Sequence, residues 1–483
     1  MYKKLLPLAI CAAVAGTAIA TENKPMDFGM KVQHLLNAQS EKLFGFDVPL
    51  QASFDSHTGR SVGQNADDLI LLAEGLEATI LTREAGNHAD MFALWPSEEA
   101  PTHAIFCIEG GREDLGTSLP SGIAKYNPSV QRIDLETGAV ETILRGMDRC
   151  DGIRTTAWGT ILATEETGDG QGYELIYPIN TDNHTVLNRA TGDIVDENNN
   201  PAINIAKRDA LPTMSWEGLT VTAEGVVIGG DELRPGSGSD DTDGGAIFKF
   251  VPNTPAIGEI GDLTESPFTA GSVYAMQVSC RDNRQQYGQG CEIGNAAWIP
   301  VTAANARDDA DALGATGYYR PEDLHMDPTY EGEGVRFCWT NTGNEGAKNY
   351  GEVICGIDSD PLLADSDTRS VVVNRFVEGD EDFNSVDNLA FQPVTGNLYV
   401  IEDHRNGDIF ACLPDGADRD IKTDGCVKVL SVKDQSAEPS GFEFLGDGQS
   451  ALLSIQHSGN DGSLDVDDYG TDDIVLITGF KVK

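Results

Sequence analysis

The chain has 483 residues and carries 78 acidic against 33 basic side chains, a formal net charge of −45 at pH 7. A surface this negative repels nucleic acid and anionic lipid, which excludes both as partners, and it repels an anionic substrate unless bound cations reverse the local field. The length exceeds the usual domain of about 150 residues, although large all-β folds use such a length as one unit.

The first 20 residues resemble a removable secretory signal. A pair of lysines at positions 3 and 4 precedes an apolar run, and Ala18-Ile19-Ala20 resembles a signal-peptidase site. No later apolar run approaches the roughly 18 residues that span a bilayer. We therefore expect a signal peptide over residues 1–20, a single domain over residues 21–483, no stable membrane insertion, and a periplasmic or secreted monomer.

Short β-rich runs bounded by Gly, Pro, Asn and Asp dominate the rest of the chain, and helical periodicity is scarce. Six of these runs end in polar residues at a glycine-rich exit: HAIFCIEGG (103–111), GTILATEETG (159–168), GVVIGGDELRPG (225–236), GVRFCWTNTGN (334–344), GNLYVIEDHRNG (396–407) and SALLSIQHSGNDG (450–462). Such units recur roughly every 50–60 residues, with an insertion before the fourth, which predicts an all-β propeller of about six blades with helical and loop insertions. We expect residues 303–317 to form one helical insertion near the site entrance.

Acids follow several of these runs. Because the inner strands of a propeller converge on one axis, acids at equivalent strand ends face one another across the central channel. Taking the six runs as inner strands, the predicted group is Glu109, Glu165, Glu166, Asp231, Glu402 and Asp403. Crowded carboxylates need counter-cations to stay ionised, and an oxygen-preferring cation such as calcium fits them.

A second set of residues stands before strands, where turn chemistry alone does not require them. The set is Glu217, Arg320, Glu322, Asp387 and Glu438, and Cys150 has the corresponding place before TILATEE. Every blade would then offer one ligand at strand entry and often others at strand exit. This recurrence in phase favours metal binding over a set of unrelated surface acids.

Eight cysteines follow residue 20, and pairing is their default state in an oxidising compartment. Short loops and adjacent strand-like runs predict the pairs Cys280–Cys291, Cys338–Cys355 and Cys412–Cys426. Cys107 and Cys150 are left over, either bonded to each other or free. Spacing alone does not choose between a disulfide, a buried thiol and a metal ligand for them.

Five segments resemble, in the same order, those of the PhoX family of bacterial alkaline phosphatases. They are CDGIRTTAWGTILATEE (150–166), WEGLTVTAEGVVIGGDE (216–232), YRPEDLHMD (319–327), VDNLAFQPVTGNLYVIED (386–403) and EPSGFEFLGDGQSALLSIQHSG (438–459). The resemblance implies a six-bladed propeller that hydrolyses small phosphate esters with ferric iron (Fe3+) and calcium (Ca2+). The sequence departs from the family at Gly230, where an acid often precedes Asp231, and at the signal, where members typically carry twin arginines.

The resemblance also implies residue roles. Cys150, Glu217, Glu322 and Asp387 match iron-binding positions, and Arg320 matches the arginine that contacts phosphate; these five are the predicted catalytic residues. The predicted calcium ligands are Glu109, Glu165, Glu166, Asp231, Glu402, Asp403 and Glu438. A soft thiolate suits iron and harder carboxylates suit calcium, so one strand could serve both metals.

Two other functions remain open on the sequence alone. A non-catalytic surface propeller would bind calcium for stability and would not hydrolyse an aryl phosphate. A calcium-dependent, lactonase-like hydrolase would explain the acids but leave Cys150 and Arg320 without a role. Fold analogy does not decide between these functions.

Overall fold

The computed structural model describes residues 28–236, 244–278, 292–364, 367–368, 370–404, 406–414, 425–456 and 466–482. The predicted signal peptide and the predicted Cys280–Cys291 pair lie outside these residues. No helix within these ranges combines the length and apolar character needed to cross a membrane.

Short elements precede the main strands. They are α1 (Phe28–Ala38), α2 (Ser40–Leu43), α3 (Ala66–Leu69), β1 (Ile70–Leu72) and β2 (Glu77–Gly86). At the start of α3 the Asp68 carboxylate accepts a hydrogen bond from the Asn65 backbone N–H at 3.0 Å, which satisfies a donor that the helix leaves free.

The first three blades are antiparallel four-stranded sheets. Blade one contains β3 (Ala89–Trp95), β4 (His103–Ile108), the inserted hairpin β5 (Asp114–Ser118) and β6 (Ala124–Tyr126), then β7 (Pro128–Asp134) and β8 (Val140–Arg145). Blade two contains β9 (Cys150–Thr155), β10 (Thr160–Glu165), β11 (Gly172–Ile176), the hairpin β12 (His184–Asn188) and β13 (Asp193–Asp196), then β14 (Ile205–Lys207). Blade three contains β15 (Trp216–Val221), β16 (Val227–Asp231), β17 (Ile247–Pro252) and β18 (Gly271–Val278). The hairpin inserted in blade two pairs with β8 and so extends blade one.

The insertion before blade four contains β19 (Gly294–Val301) and α4 (Ala306–Leu313). Because β19 pairs with the outer strands of blades three and four, it joins them into one nine-stranded sheet. The helix α4 confirms the helical insertion expected over residues 303–317. Short 3-10 helices occur at Leu263–Glu265, Pro267–Thr269, Ala303–Asn305 and Glu345–Ala347.

The last three blades complete the circle. Blade four contains β20 (Pro321–Met326), β21 (Val335–Asn341), β22 (Glu352–Asp358) and β23 (Val371–Glu378). Blade five contains β24 (Val386–Phe391), β25 (Leu398–Glu402), β26 (Asp408–Cys412) and β27 (Cys426–Val432), with β1 on its outer edge. Blade six contains β28 (Glu438–Phe444), β29 (Ser450–Gln456) and β30 (Thr471–Thr478), and β2 supplies its outer strand.

The first strands of the six blades form a ring around the central axis. Each of these strands contacts the next, in the order β3, β9, β15, β20, β24 and β28, and β28 contacts β3 in turn. The fold is therefore a six-bladed β-propeller, as predicted. The antiparallel pairing of β2 with β30, from Glu77 opposite Thr478 to Gly86 opposite Thr471, closes the circle between early and late parts of the chain.

The assignment of inner strands from sequence was wrong by one strand. The six predicted runs are the second strands β4, β10, β16, β21, β25 and β29, whereas the innermost strands are those that precede them. The innermost strands carry acids, glycines and breaks in pairing, so their apolar pattern is weaker than that of the second strands.

Six apolar clusters lie between neighbouring blades. Between blades three and four, for example, Ile228 and Met276 pack with Leu324 and Trp339. The strands are thus covered on both faces, which explains why the sequence shows continuous apolar runs rather than alternation. The disulfides Cys338–Cys355 and Cys412–Cys426 confirm two of the predicted pairs.

Candidate active site

Five of the innermost strands carry an acid at their second position. The acids are Asp90, Asp151, Glu217, Glu322 and Asp387. In each strand the pairing with the second strand is interrupted at the acid; in blade three, Trp216 pairs with Asp231 and the next pair is Leu219 with Gly229. A bulge of this kind leaves residues unpaired and redirects their side chains. In the sixth blade, Glu438 begins the innermost strand.

A second set of acids follows the second strands. The set is Glu109, Glu166, Glu232 and Asp403, each one residue beyond the last pair with the innermost strand. In all four blades the backbone N–H of this acid donates to the carbonyl of the residue just before the innermost strand, at 2.8–2.9 Å. The repeated bond holds the entry and exit acids of one blade side by side.

Most acids of the two sets line a cavity of about 180 Å³ on the axis; the exceptions, Glu232 and Glu322, contact Arg320. Its lining residues are Asp90, Glu109, Asp151, Glu166, Glu217, Arg320, Asp387, Asp403, Glu438 and Gln456. Eight of these are carboxylates and one is a cation. Of the predicted residues, Glu109, Glu166, Glu217, Arg320, Asp387, Asp403 and Glu438 line the cavity, and Glu322 contacts Arg320 at its wall.

Within the described part of the chain, two groups of three carboxylates have the spacing of metal ligands. In each group the ligand atoms lie within 4.8 Å of one another, and Glu217 belongs to both. The groups are Asp151, Glu166, Glu217 and Glu217, Glu322, Asp387. Asp151 Oδ1, Glu166 Oε2 and Glu322 Oε2 are buried and have no hydrogen-bond partner among the described residues. Buried carboxylate oxygens without donors are costly, and a bound cation would satisfy them.

Burial and mutual repulsion act strongly on these acids. Burial, reinforced by Glu109, raises the pKa of Asp90 to about 8. Burial also raises the pKa of Glu217 well above its ordinary value, and the charge of Asp151 adds to the shift. The pKa of Glu438 rises to about 12 because of burial and its contact with Asp403. So many neighbouring carboxylates cannot all be ionised without cations between them.

Arg320 is the cation in this wall. Its Nε lies 2.5 Å from Glu232 Oε1, and its Nη1 lies 2.9 Å from Glu322 Oε1 and 3.6 Å from Asp403 Oδ2. Burial opposes the charged form, but the charges of Glu322, Glu232 and Asp387 raise the pKa of Arg320, so it stays charged. Only 16% of the side chain is exposed. Arg320 is therefore a fixed positive charge held at the edge of the carboxylate cluster.

The structure corrects the prediction for Cys150. Its Sγ is bonded to Cys107, which links β9 to β4 and thus blade two to blade one. A disulfide sulfur carries no thiolate, so Cys150 does not supply the metal ligand expected there. The neighbouring Asp151, which occupies the bulge, lines the cavity instead.

Three predicted calcium ligands lie outside the cavity lining and have other partners. Each accepts a backbone N–H from the loop before its innermost strand: Glu165 from Asp148, Asp231 from Ser215 and Glu402 from Asn384, at 2.8–2.9 Å. Each also pairs with a basic side chain, namely Arg189, Arg307 and His404 respectively. These three carboxylates fix the entry loops rather than face the axis.

Sequence reasoning missed three acids of the site. Asp151 and Glu232 stand next to the predicted Cys150 and Asp231, and a search for acids in the same phase as Glu217 would have found Asp151. Asp90, in the stretch GNHADMF, has the second position of the first innermost strand. The position of Asp90 in the blade becomes recognisable only once the innermost strands are identified.

A family model described as alkaline phosphatase PhoX matches residues 142–459. This stretch is about two thirds of the chain and includes blades two to five in full. A search of curated proteins found no match.

Solved structures share the fold. One is Pseudomonas fluorescens PhoX in complex with vanadate, a transition-state analogue, with 15% identity, a TM-score of 0.54, and coverage of 88% of this chain and 98% of that chain. Another is the gluconolactonase XC5397 from Xanthomonas campestris, with 11% identity, a TM-score of 0.41, and coverage of 89% of this chain and 96% of that chain. The first supports the propeller fold, and the second is too distant to carry an argument.

Proposed function

The chain belongs to the alkaline phosphatase PhoX family and is a phosphoric monoester hydrolase, and from this we propose that its axial cavity is a metal-dependent catalytic site. The observation that carries the proposal is the pair of three-carboxylate groups that share Glu217 and contain buried oxygens without donors. Arg320 lies beside them and is the one cation among the described residues that line the cavity.

We propose Ca2+ as the resident cation of the two carboxylate groups. Their ligand atoms are all oxygens, which suits a hard cation. The family resemblance implied Fe3+ with Cys150 as one of its four ligands, and the Cys107–Cys150 disulfide removes that thiolate from the ligand set. We therefore infer that any iron bound here has carboxylate ligands only. Cations in this position would act as Lewis acids on a phosphoryl oxygen.

The protein side chains bind and orient the phosphate ester. Arg320 is held by Glu232 and Glu322, so its guanidinium is preorganised to donate to phosphoryl oxygens in a planar, forked geometry that lysine lacks. The surrounding carboxylates would repel a phosphate dianion by themselves, which is why the proposal requires both the cations and Arg320. The restricted cavity favours entry of the phosphoryl group with the leaving group directed outward.

Export to the periplasm or medium is part of the same proposal. The disulfides Cys107–Cys150, Cys338–Cys355 and Cys412–Cys426 suit an oxidising compartment, as does the signal-like composition of residues 1–20. The monomeric state stays a prediction.

Substitution of the shared ligand tests this proposal. We expect Glu217→Gln to lower kcat for an aryl phosphate by at least about 100-fold and to reduce bound calcium, because ligands of both groups are affected. Asp209→Asn is the matched control, since Asp209 is 81% exposed on the outside of blade two. Near wild-type hydrolysis and metal content in a folded Glu217→Gln protein would rule out the axial site.

A further inference from the structure

Two arginines stand out on this acidic molecule. Among the described residues, Arg149 and Arg234 are the exposed arginines, whereas the others are buried or partly buried. No hydrogen bond or ion pair joins the Arg149 guanidinium to a described residue. The charge of Arg234 acts on nearby Glu232 and helps to lower the pKa of that carboxyl, but Arg320 is the arginine that Glu232 contacts directly. By contrast, Arg189, Arg307 and Arg320 each pair with a carboxylate at 2.5–2.8 Å.

Arg149 lies at the rim of the axial cavity. Its backbone carbonyl accepts the N–H of Glu166 at 2.8 Å, and its N–H donates to the carbonyl of Gly110, the residue after Glu109, at 3.3 Å. Both glutamates line the cavity. Arg149 also has the same place in blade two that Arg320 has in blade four: each immediately precedes the innermost strand and has a positive φ, 53° and 60° respectively.

Arg234 lies on the neighbouring side of the same rim. It follows Glu232, which binds the Arg320 guanidinium, by two residues. The carbonyl between them, that of Leu233, accepts the backbone N–H of Arg320 at 3.2 Å. Arg234 therefore directly follows Glu232 and Leu233, the two residues that bind Arg320.

Exposed guanidinium groups at the rim of this cavity favour an anionic partner. On a chain of net charge −45, exposed arginines would ordinarily find carboxylates, as the partly buried ones do. The proposed phosphoryl site lies deeper, at Arg320 and the carboxylate groups. An anion held by the rim arginines would thus belong to the part of the substrate that points outward, the leaving group.

We propose that Arg149 and Arg234 select phosphate monoesters whose leaving group carries a second negative charge, such as a carboxylate. This inference rests on the proposed function, because it places the scissile phosphate at Arg320. Guanidinium groups bind carboxylates and phosphates in the same forked geometry. Because both arginines are exposed, the preference will weaken with increasing salt.

The test compares two esters that differ in one charge, phenyl phosphate and 4-carboxyphenyl phosphate. We expect wild-type protein to have the higher kcat/KM for the carboxylated ester at low salt. The double variant Arg149→Ala/Arg234→Ala should reduce the ratio of the two kcat/KM values about fivefold, the order expected for exposed ion pairs. Lys31→Ala is the control, since Lys31 is an exposed cation on α1, which packs on the outer strand β27, and it should keep the wild-type ratio.

The outcomes separate the inference from the proposed function. An unchanged ratio in the active double variant would overturn the selection by the rim arginines and leave the phosphatase site intact. No turnover of either ester by metal-loaded wild-type protein would overturn the proposed function and, with it, the inference. A ratio that falls equally in Lys31→Ala would show a general effect of net charge and would also overturn it.

Discussion

Asp151 leaves its strand ladder at a bulge, whereas Cys150, one residue earlier, still pairs with Glu165. This shift of one residue decides which side chain reaches the axis. Cys150 packs in the apolar cluster between blades one and two and bonds to Cys107 there. The sequence left a disulfide, a buried thiol and a metal ligand open for these cysteines, and only the proximity of β4 and β9 in the fold decides for the disulfide.

Removal of this disulfide tests the roles of the two residues. We expect Cys107→Ala/Cys150→Ala to keep most of the hydrolysis of an aryl phosphate and its calcium, because neither sulfur is a ligand. The bridge closes a separation of 43 residues, so its loss should lower the free energy of unfolding by about 4 kcal/mol in the loop-closure relation.

The Cys412–Cys426 bridge of blade five is a suitable control. It closes a separation of 14 residues, and its removal should cost about 3 kcal/mol without any change in metal content. Loss of bound metal and activity in the first double variant, but not in the second, would show that Cys150 serves the metal centre after all.

At the scale of the strand, two adjacent acids at the end of a second strand have different structural roles. In β25 and its exit, Glu402 accepts the N–H groups of Asn384 and Asp408 at 2.8 and 3.1 Å, while Asp403 lines the cavity. The pairs Glu165 with Glu166 and Asp231 with Glu232 repeat this division. In each pair the first carboxylate positions the entry loop. The second lines the cavity in the case of Glu166 and Asp403, and holds Arg320 in the case of Glu232.

This division gives a prediction for two adjacent substitutions. The N–H groups of Asn384 and Asp408 donate to different oxygens of Glu402, so Glu402→Gln leaves one of them without its acceptor. We expect this change to lower the free energy of unfolding by about 1–3 kcal/mol and to keep the bound calcium. Asp403→Asn should reduce calcium binding and hydrolysis with a smaller loss of stability. Thermal unfolding and metal analysis of both variants check this, and equal metal loss in the two would contradict the division.

The sequence predicted the repeated unit well and its internal arrangement less well. The second strands are continuous apolar runs such as TILAT and LYVI, so their spacing predicted six blades. The innermost strands contain bulges at Asp151 and Glu217, and a bulge breaks the period on which strand prediction depends. The pairing of β2 with β30 joins ends of the chain that no local pattern connects.

For the molecule as a whole, the acids of the axial site account for only a small part of the acidic composition. Most of the excess acids that give the net charge of −45 lie away from the cavity, and eight carboxylates line it. The sequence could predict that acids of distant segments converge, because their phase in the blade was visible. It could not predict which of two adjacent acids faces inward, because that depends on the pairing register.

The most direct test of the account is elemental analysis of purified protein combined with an aryl phosphate assay before and after calcium chelation. We expect bound calcium, no absorption band of a ferric thiolate, and a loss of hydrolysis on chelation that added calcium restores. Full hydrolysis by metal-free protein, or a violet iron–thiolate protein, would contradict it.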